Sequence, residues 1–104
     1  MLISTTETIP GRKTVKYLGF VRGNTIRARH VGKDLLAHLR NLVGGEIVEY
    51  TKLLAESREQ ALDRMVQEAQ KLGANAIVGM RFSTAEIETH AAEILAYGTA
   101  VLVE

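Results

Sequence analysis

Cysteine and tryptophan are absent from this chain, and proline occurs once, at Pro10. Without cysteine there are no disulfides, no thiolate metal sites and no thiol nucleophile. Aromatic residues are few, three Tyr and two Phe, so any core is aliphatic. No apolar run approaches the roughly 18 residues that a membrane-spanning helix needs. The first residues, Met1-Leu2-Ile3-Ser4-Thr5, lack the basic stretch and apolar core of a secretory signal, and a cytoplasmic setting is expected. An excess of one charge is missing too. Thirteen basic against twelve acidic residues leave a net charge of +1, which is no electrostatic footprint for nucleic acid. Neither a nucleic-acid nor a membrane partner is expected.

What is present suffices for one domain, residues 1–104. Such a chain buries roughly 65% of the surface its unfolded form exposes, which makes one thin core. The most informative stretch is Leu72-Gly73-Ala74-Asn75-Ala76-Ile77-Val78-Gly79. It ends an amphipathic helix, turns on a glycine and starts a buried strand.

Around that junction, residues 2–5 read as a short strand and 6–12 as a loop carrying Pro10-Gly11. Residues 13–29 read as a strand with Val15, Tyr17 and Val21 on one face and Leu18 and Phe20 on the other. Gly19 and Gly23 mark bulges or close backbone approach. The spacing of Leu35, Leu36, Leu39, Leu42 and Val43 predicts a first helix over 32–43, ended by Gly44-Gly45. A second helix is predicted over 47–72, with Gly73 as its cap. Ile47, Tyr50, Leu54, Ala61, Leu62, Met65, Ala69 and Leu72 share one arc, opposite Lys52, Glu56, Glu59, Asp63, Gln67 and Lys71. Residues 76–88 and 92–103 predict an antiparallel hairpin with its tip near Thr89-His90-Ala91. In its first arm Ala76, Val78, Met80 and Phe82 alternate with Ile77, Gly79, Arg81 and Ser83. Its second arm, 94–103, is apolar on both faces.

A strand dry on both faces needs cover on both. Two helices cover only one side of a small sheet. The simplest cover for the other is a second copy of the chain; the alternatives are the 6–12 loop or plain exposure. The fold expected is therefore α+β: a small, mainly antiparallel sheet with two helices packed on one face, assembling as a homo-oligomer.

Five stretches lie in order: Thr5-Thr6 before Pro10-Gly11, Leu18-Gly19-Phe20-Val21-Arg22-Gly23, Val43-Gly44-Gly45-Glu46, the 72–79 junction, and Ala96-Tyr97-Gly98-Thr99-Ala100-Val101. In that order and spacing the chain resembles the YbjQ family of small bacterial and archaeal proteins, over essentially its whole length. The resemblance implies a β/α domain that assembles into a homopentameric ring, with short extra strands aiding assembly. The family carries a heavy-metal-binding label. The lack of cysteine argues against a soft metal.

Arg58 falls inside the apolar arc of the second helix, where a guanidinium needs an acidic or carbonyl partner. Glu46 is a candidate partner. The pair reads either as a structural ion pair, with snorkelling to solvent as the alternative for Arg58, or as a ligand site at a subunit interface. Glu86, Glu88 and His90 alternate, so an unbroken strand sets all three on one face. With Glu93 across the hairpin they are candidate ligands for a divalent metal ion, against a solvated, charge-protected tip. Asp34 and His38 form an i,i+4 pair. His30 joins Arg22, Arg27 and Arg29 in a small basic cluster without the aromatics that base stacking needs. Gly44-Gly45-Glu46 lacks the phosphate-loop pattern, and no nucleophile–base order stands out. The first functional reading is a non-enzymatic ring binding a metal ion or small ligand. The second is a scaffold ring for a protein partner. The third is an enzyme with an inter-subunit site near Arg58 and Glu46.

Overall fold

A computed structural model describes residues 1–28, 42–43, 46–88 and 91–104. In chain order its elements are β1 (Leu2–Ile3), β2 (Thr14–Ala28), β3 (Leu42–Val43), β4 (Glu46–Ile47), α1 (Val48–Lys71), β5 (Ala76–Glu88) and β6 (Ala91–Val103). The fold is α+β, with α1 packed on a four-stranded sheet of order β1-β5-β6-β2. Only the β1–β5 pair is parallel. The first predicted helix lies mostly outside the described residues. Its last two residues are corrected: Leu42 and Val43 pair with Ile47 and Glu46 as a small ladder. A Gly-Gly pair signals a hairpin as readily as a helix end, and helical spacing alone does not separate the two.

The second helix forms because its apolar and polar residues sort by period. Ser57, Ala61, Met65 and Ala69, every fourth residue, are buried, while Lys52, Glu56, Glu59, Asp63, Gln67 and Lys71 are exposed. It stops at Gly73 (φ 83°). The Gly73 amide bonds the Gln70 carbonyl at 3.0 Å and the Ala74 amide bonds the Ala69 carbonyl at 3.1 Å. That pair of bonds satisfies two carbonyls the helix end leaves free.

Asn75 then ties the turn to the sheet. Its side chain donates to the Val103 carbonyl and accepts from the Val103 amide, both at 2.8 Å. Asn75→Ala is expected to cost about 2 kcal/mol, the worth of two such bonds. A shift of the urea midpoint with unchanged slope, together with faster amide exchange at Val103, checks this.

Two glycine bulges rearrange the faces that strict alternation predicts. Gly19 (φ 133°) lies at a register shift in β2, so Tyr17 and Phe20 share a face, while Leu18 and Val21 turn to the helix. Gly79 (φ 61°) does the same in β5. Ala76 and Val78 face away from the helix, but Ile77 and Met80 face it. One extra residue reverses every side chain beyond it.

The main core lies between α1 and the sheet, with Val21, Met65, Ile77, Met80 and Ile94 among small alanines. The other face carries a second cluster in which Ile9 of the N-terminal loop covers Ala76, Val78, Val101 and Val103. The loop thus covers one end of that face. Beyond it Tyr17, Phe20 and Ile26 are 61–62% exposed.

Candidate functional site

The carboxylates of the hairpin stand on different faces. Residues directly opposed across an antiparallel pair share a face. Glu86 opposes Ala92 and Glu93 opposes Ala85, so Glu86 looks to the helix side and Glu93 to the other. The Asn24 amide donates to Glu93 Oε2 at 3.2 Å, across β2 and β6. Glu86 lines a cleft of about 350 Å³ with Leu54, Thr84 and Ile94. A register shift between Glu86 and Glu88 interrupts the alternation that would set the two on one face. His90 lies outside the described residues. Among the described residues no three His, Asp or Glu side chains converge as a metal cluster.

Arg58 is corrected. It is exposed, and its neighbours on the outer helix surface are Lys52, Ala55, Glu56, Glu59 and Gln60. The helix seats on the line 57-61-65-69, with Ser57 buried in the place that the wheel gives to Arg58. Ser57 is small, its hydroxyl bonds the Leu53 carbonyl at 2.9 Å, and its own carbonyl accepts from Thr25 Oγ1 at 3.2 Å. These bonds let a polar residue sit where a guanidinium would need a carboxylate. Glu46 lies in β4, and α1 itself puts about 15 Å between Val48 and Arg58. The helix therefore separates the two rather than bringing them together. Asp34, His38, Arg29, His30, Gly44 and Gly45 lie outside the described residues.

A cleft of about 630 Å³ was not singled out from the residues. It runs along the outer edge of β2, between Phe20, Arg22 and Asn24 on the strand and Arg64, Gln67 and Glu68 on α1. Arg64 Nη1 donates to the Asn24 carbonyl at 2.6 Å. The signal that could have found it is Gly23, whose missing side chain lets α1 lie against β2. On the far side of the sheet the Phe20 and Tyr97 rings stand 6.4 Å apart, tilted by 41°.

Comparison with known proteins places the chain. The profile of the YbjQ family, described as "Putative heavy-metal-binding", matches residues 1–104. A UPF0145 protein of Archaeoglobus fulgidus is 58% identical over 101 residues, covering 97% of this chain and 94% of that one. UPF0145 proteins of Dehalococcoides mccartyi and Thermus thermophilus are 56% and 55% identical over 104 residues, all of this chain and 100% and 91% of theirs. The crystal structure of a protein of unknown function from the DUF74 family of Pediococcus pentosaceus superposes with a TM-score of 0.68. It covers 100% of this chain and 98% of its own at 15% identity, a likeness of fold alone. No helix among the described residues is long and apolar enough to cross a membrane.

Proposed function

The chain belongs to the YbjQ family, and on that premise we propose that it works in the cytoplasm as a non-enzymatic, homopentameric ring that holds a metal ion or small ligand. The observation that carries the assembly is the bare part of the second face. Tyr17, Phe20 and Ile26 stand exposed there beside half-buried Leu95 and Tyr97. Large exposed apolar side chains gathered on one sheet face, here with Arg22, Asn24 and Glu93 among them, mark an interaction surface. The chain's accessible surface, 6898 Å², exceeds the roughly 5,800 Å² of a compact 11.4 kDa monomer. Its radius of gyration is 17.1 Å against about 13 Å.

The metal reading draws on the family description and on Glu88 and His90 at the hairpin end, repeated around the ring; Glu86, on the helix side, is separated from them by the register shift. Carboxylate and imidazole donors suit a borderline divalent ion. Glu93, on the face opposite to Glu86, accepts a hydrogen bond from Asn24. Native mass spectrometry of untagged protein is expected to give a ring carrying extra mass. Glu88→Ala with His90→Ala is expected to cut bound divalent metal per subunit at least tenfold while the ring mass persists. Metal that is unchanged in this variant, or absent from the parent, sinks the metal reading. A ring without metal that retains a protein through purification supports the scaffold reading instead.

A further inference from the structure

We propose that the outer edge of β2 is the docking site for residues 81–88 of β5 from a second copy of this chain, head to tail. The proposal rests on the ring reading and says which surfaces close it.

The sheet ends on two strands whose outer edges are open among the described residues. Among the described residues β2 has no neighbour beyond it. β5 is covered only at its start: β1 pairs with Ala76 and Ile77, and the N-terminal loop takes the amides of Gly79 and Met80 at 2.8 and 3.0 Å. Arg81 Nη1 holds the Thr5 carbonyl at 2.8 Å, and the cover ends there. An open row of amides and carbonyls templates pairing with another strand, and proteins that stay monomeric blunt it. Here the blunting is only partial. The single proline, Pro10, lies outside both strands. The bulges of β2 precede Phe20, so 20–28 run without a break, and 81–88 is one residue shorter, with a register shift between Glu86 and Glu88. Arg64 occupies one β2 carbonyl, that of Asn24, which places that acceptor on the accessible side.

The two edges complement each other. β2 carries Lys16, Arg22 and Arg27 and no acid, whereas 81–88 holds Glu86 and Glu88 against Arg81. A symmetric β2–β2 pairing sets like charges together, and it leaves the β5 edge unused. Apolar contact also continues across the junction. On the helix side Phe82, 44% exposed, enters the cleft beside Arg64 and Gln67, and Ile87, 55% exposed, stands at the register shift further along the same edge. Strand sense follows from symmetry. β5 and β2 run parallel within one chain, since each is antiparallel to β6. Rotation about a ring axis preserves that sense, so the junction is parallel and heterologous.

The absence of cysteine makes a direct test available. Asn24→Cys is combined in turn with Ser83→Cys, Ala85→Cys and Ile87→Cys; Asn24, Ser83 and Ala85 face away from α1, and Ile87 lies at the register shift. Neighbouring strands lie within disulfide range. Under mild oxidation at least one pair is expected to give a covalent ladder up to the ring mass, lost on reduction, while each single variant stays uncrosslinked. An oligomeric parent with no ladder from any pair overturns the edge assignment and leaves the ring reading standing. Crosslinking of Asn24→Cys alone overturns it in favour of the symmetric β2–β2 pair. A monomeric parent on native mass spectrometry overturns the ring reading and this proposal together.

Discussion

Gly23→Ala is expected to lower the stability of the fold by about 3 kcal/mol or more, a fall in melting temperature of about 15 °C. The sign is not obvious in advance. A glycine replaced by alanine in a permissive backbone gains about 0.4–1 kcal/mol from a less flexible unfolded chain. At Gly23 the site decides otherwise. A Cβ there would stand 2.3 Å from the Ala61 carbonyl oxygen, 2.4 Å from the Met65 nitrogen and 2.7 Å from Arg64 Cβ. Two of these atoms are helix backbone and cannot swing aside. The helix must lift by roughly an ångström, which loosens every contact along 57-61-65-69. It also pulls the Ser57 carbonyl away from Thr25. Thermal unfolding followed by circular dichroism measures the loss. Gly11→Ala is the control, because Gly11 has positive φ (77°) but nothing within 4 Å, and about 1 kcal/mol is expected there. Equal losses at the two positions would mean that α1 yields freely, and the close-packing account would fail.

The same glycines show how far the residues speak for the fold. Helix-to-strand order at 72–79 was legible because an αL cap and a dry strand leave local marks that tertiary contacts do not erase. The hairpin was legible too, with Ala91 in the strand rather than at the tip. Gly19 and Gly23 were readable as bulge or close approach, and one is each. What alternation could not reveal was the consequence of a bulge: Met80 and Phe82 part company with Ala76 and Val78 because Gly79 adds a residue. Arg58 was misplaced for a related reason. A wheel weighs hydrophobicity, but a helix lying against a glycine seats on its small residues, so Ser57 is buried and Arg58 is not. The candidate metal set was read from spacing along one strand. The register shift between Glu86 and Glu88, and the opposite faces of Glu86 and Glu93, escaped it because spacing carries no information about cross-strand register.

Met65→Ala is expected to cost about 3–5 kcal/mol, the upper part of the range for truncating a buried methionine. The size of the loss depends on whether neighbours can fill the space. Met65 is fully buried and is one of the largest such side chains, with Ile77 and Val101. On its own helix stripe the next residues are Ala61 and Ala69, and across the core stand Ala96 and Ala100. None of these has a side chain that can swing into the gap, so a cavity persists. Met65→Leu keeps most of the volume and is expected to cost less than about 1.5 kcal/mol. Denaturant titration of both variants gives the comparison, and a Met65→Ala loss below about 1.5 kcal/mol would show that the helix collapses onto the sheet. The Met65 side chain is fully buried in the core between α1 and the sheet, so its truncation weakens the subunit rather than the contact between subunits. The fall in melting temperature is accordingly expected to be the same at low and high protein concentration. A surface variant that weakens edge pairing shifts it most when the protein is dilute.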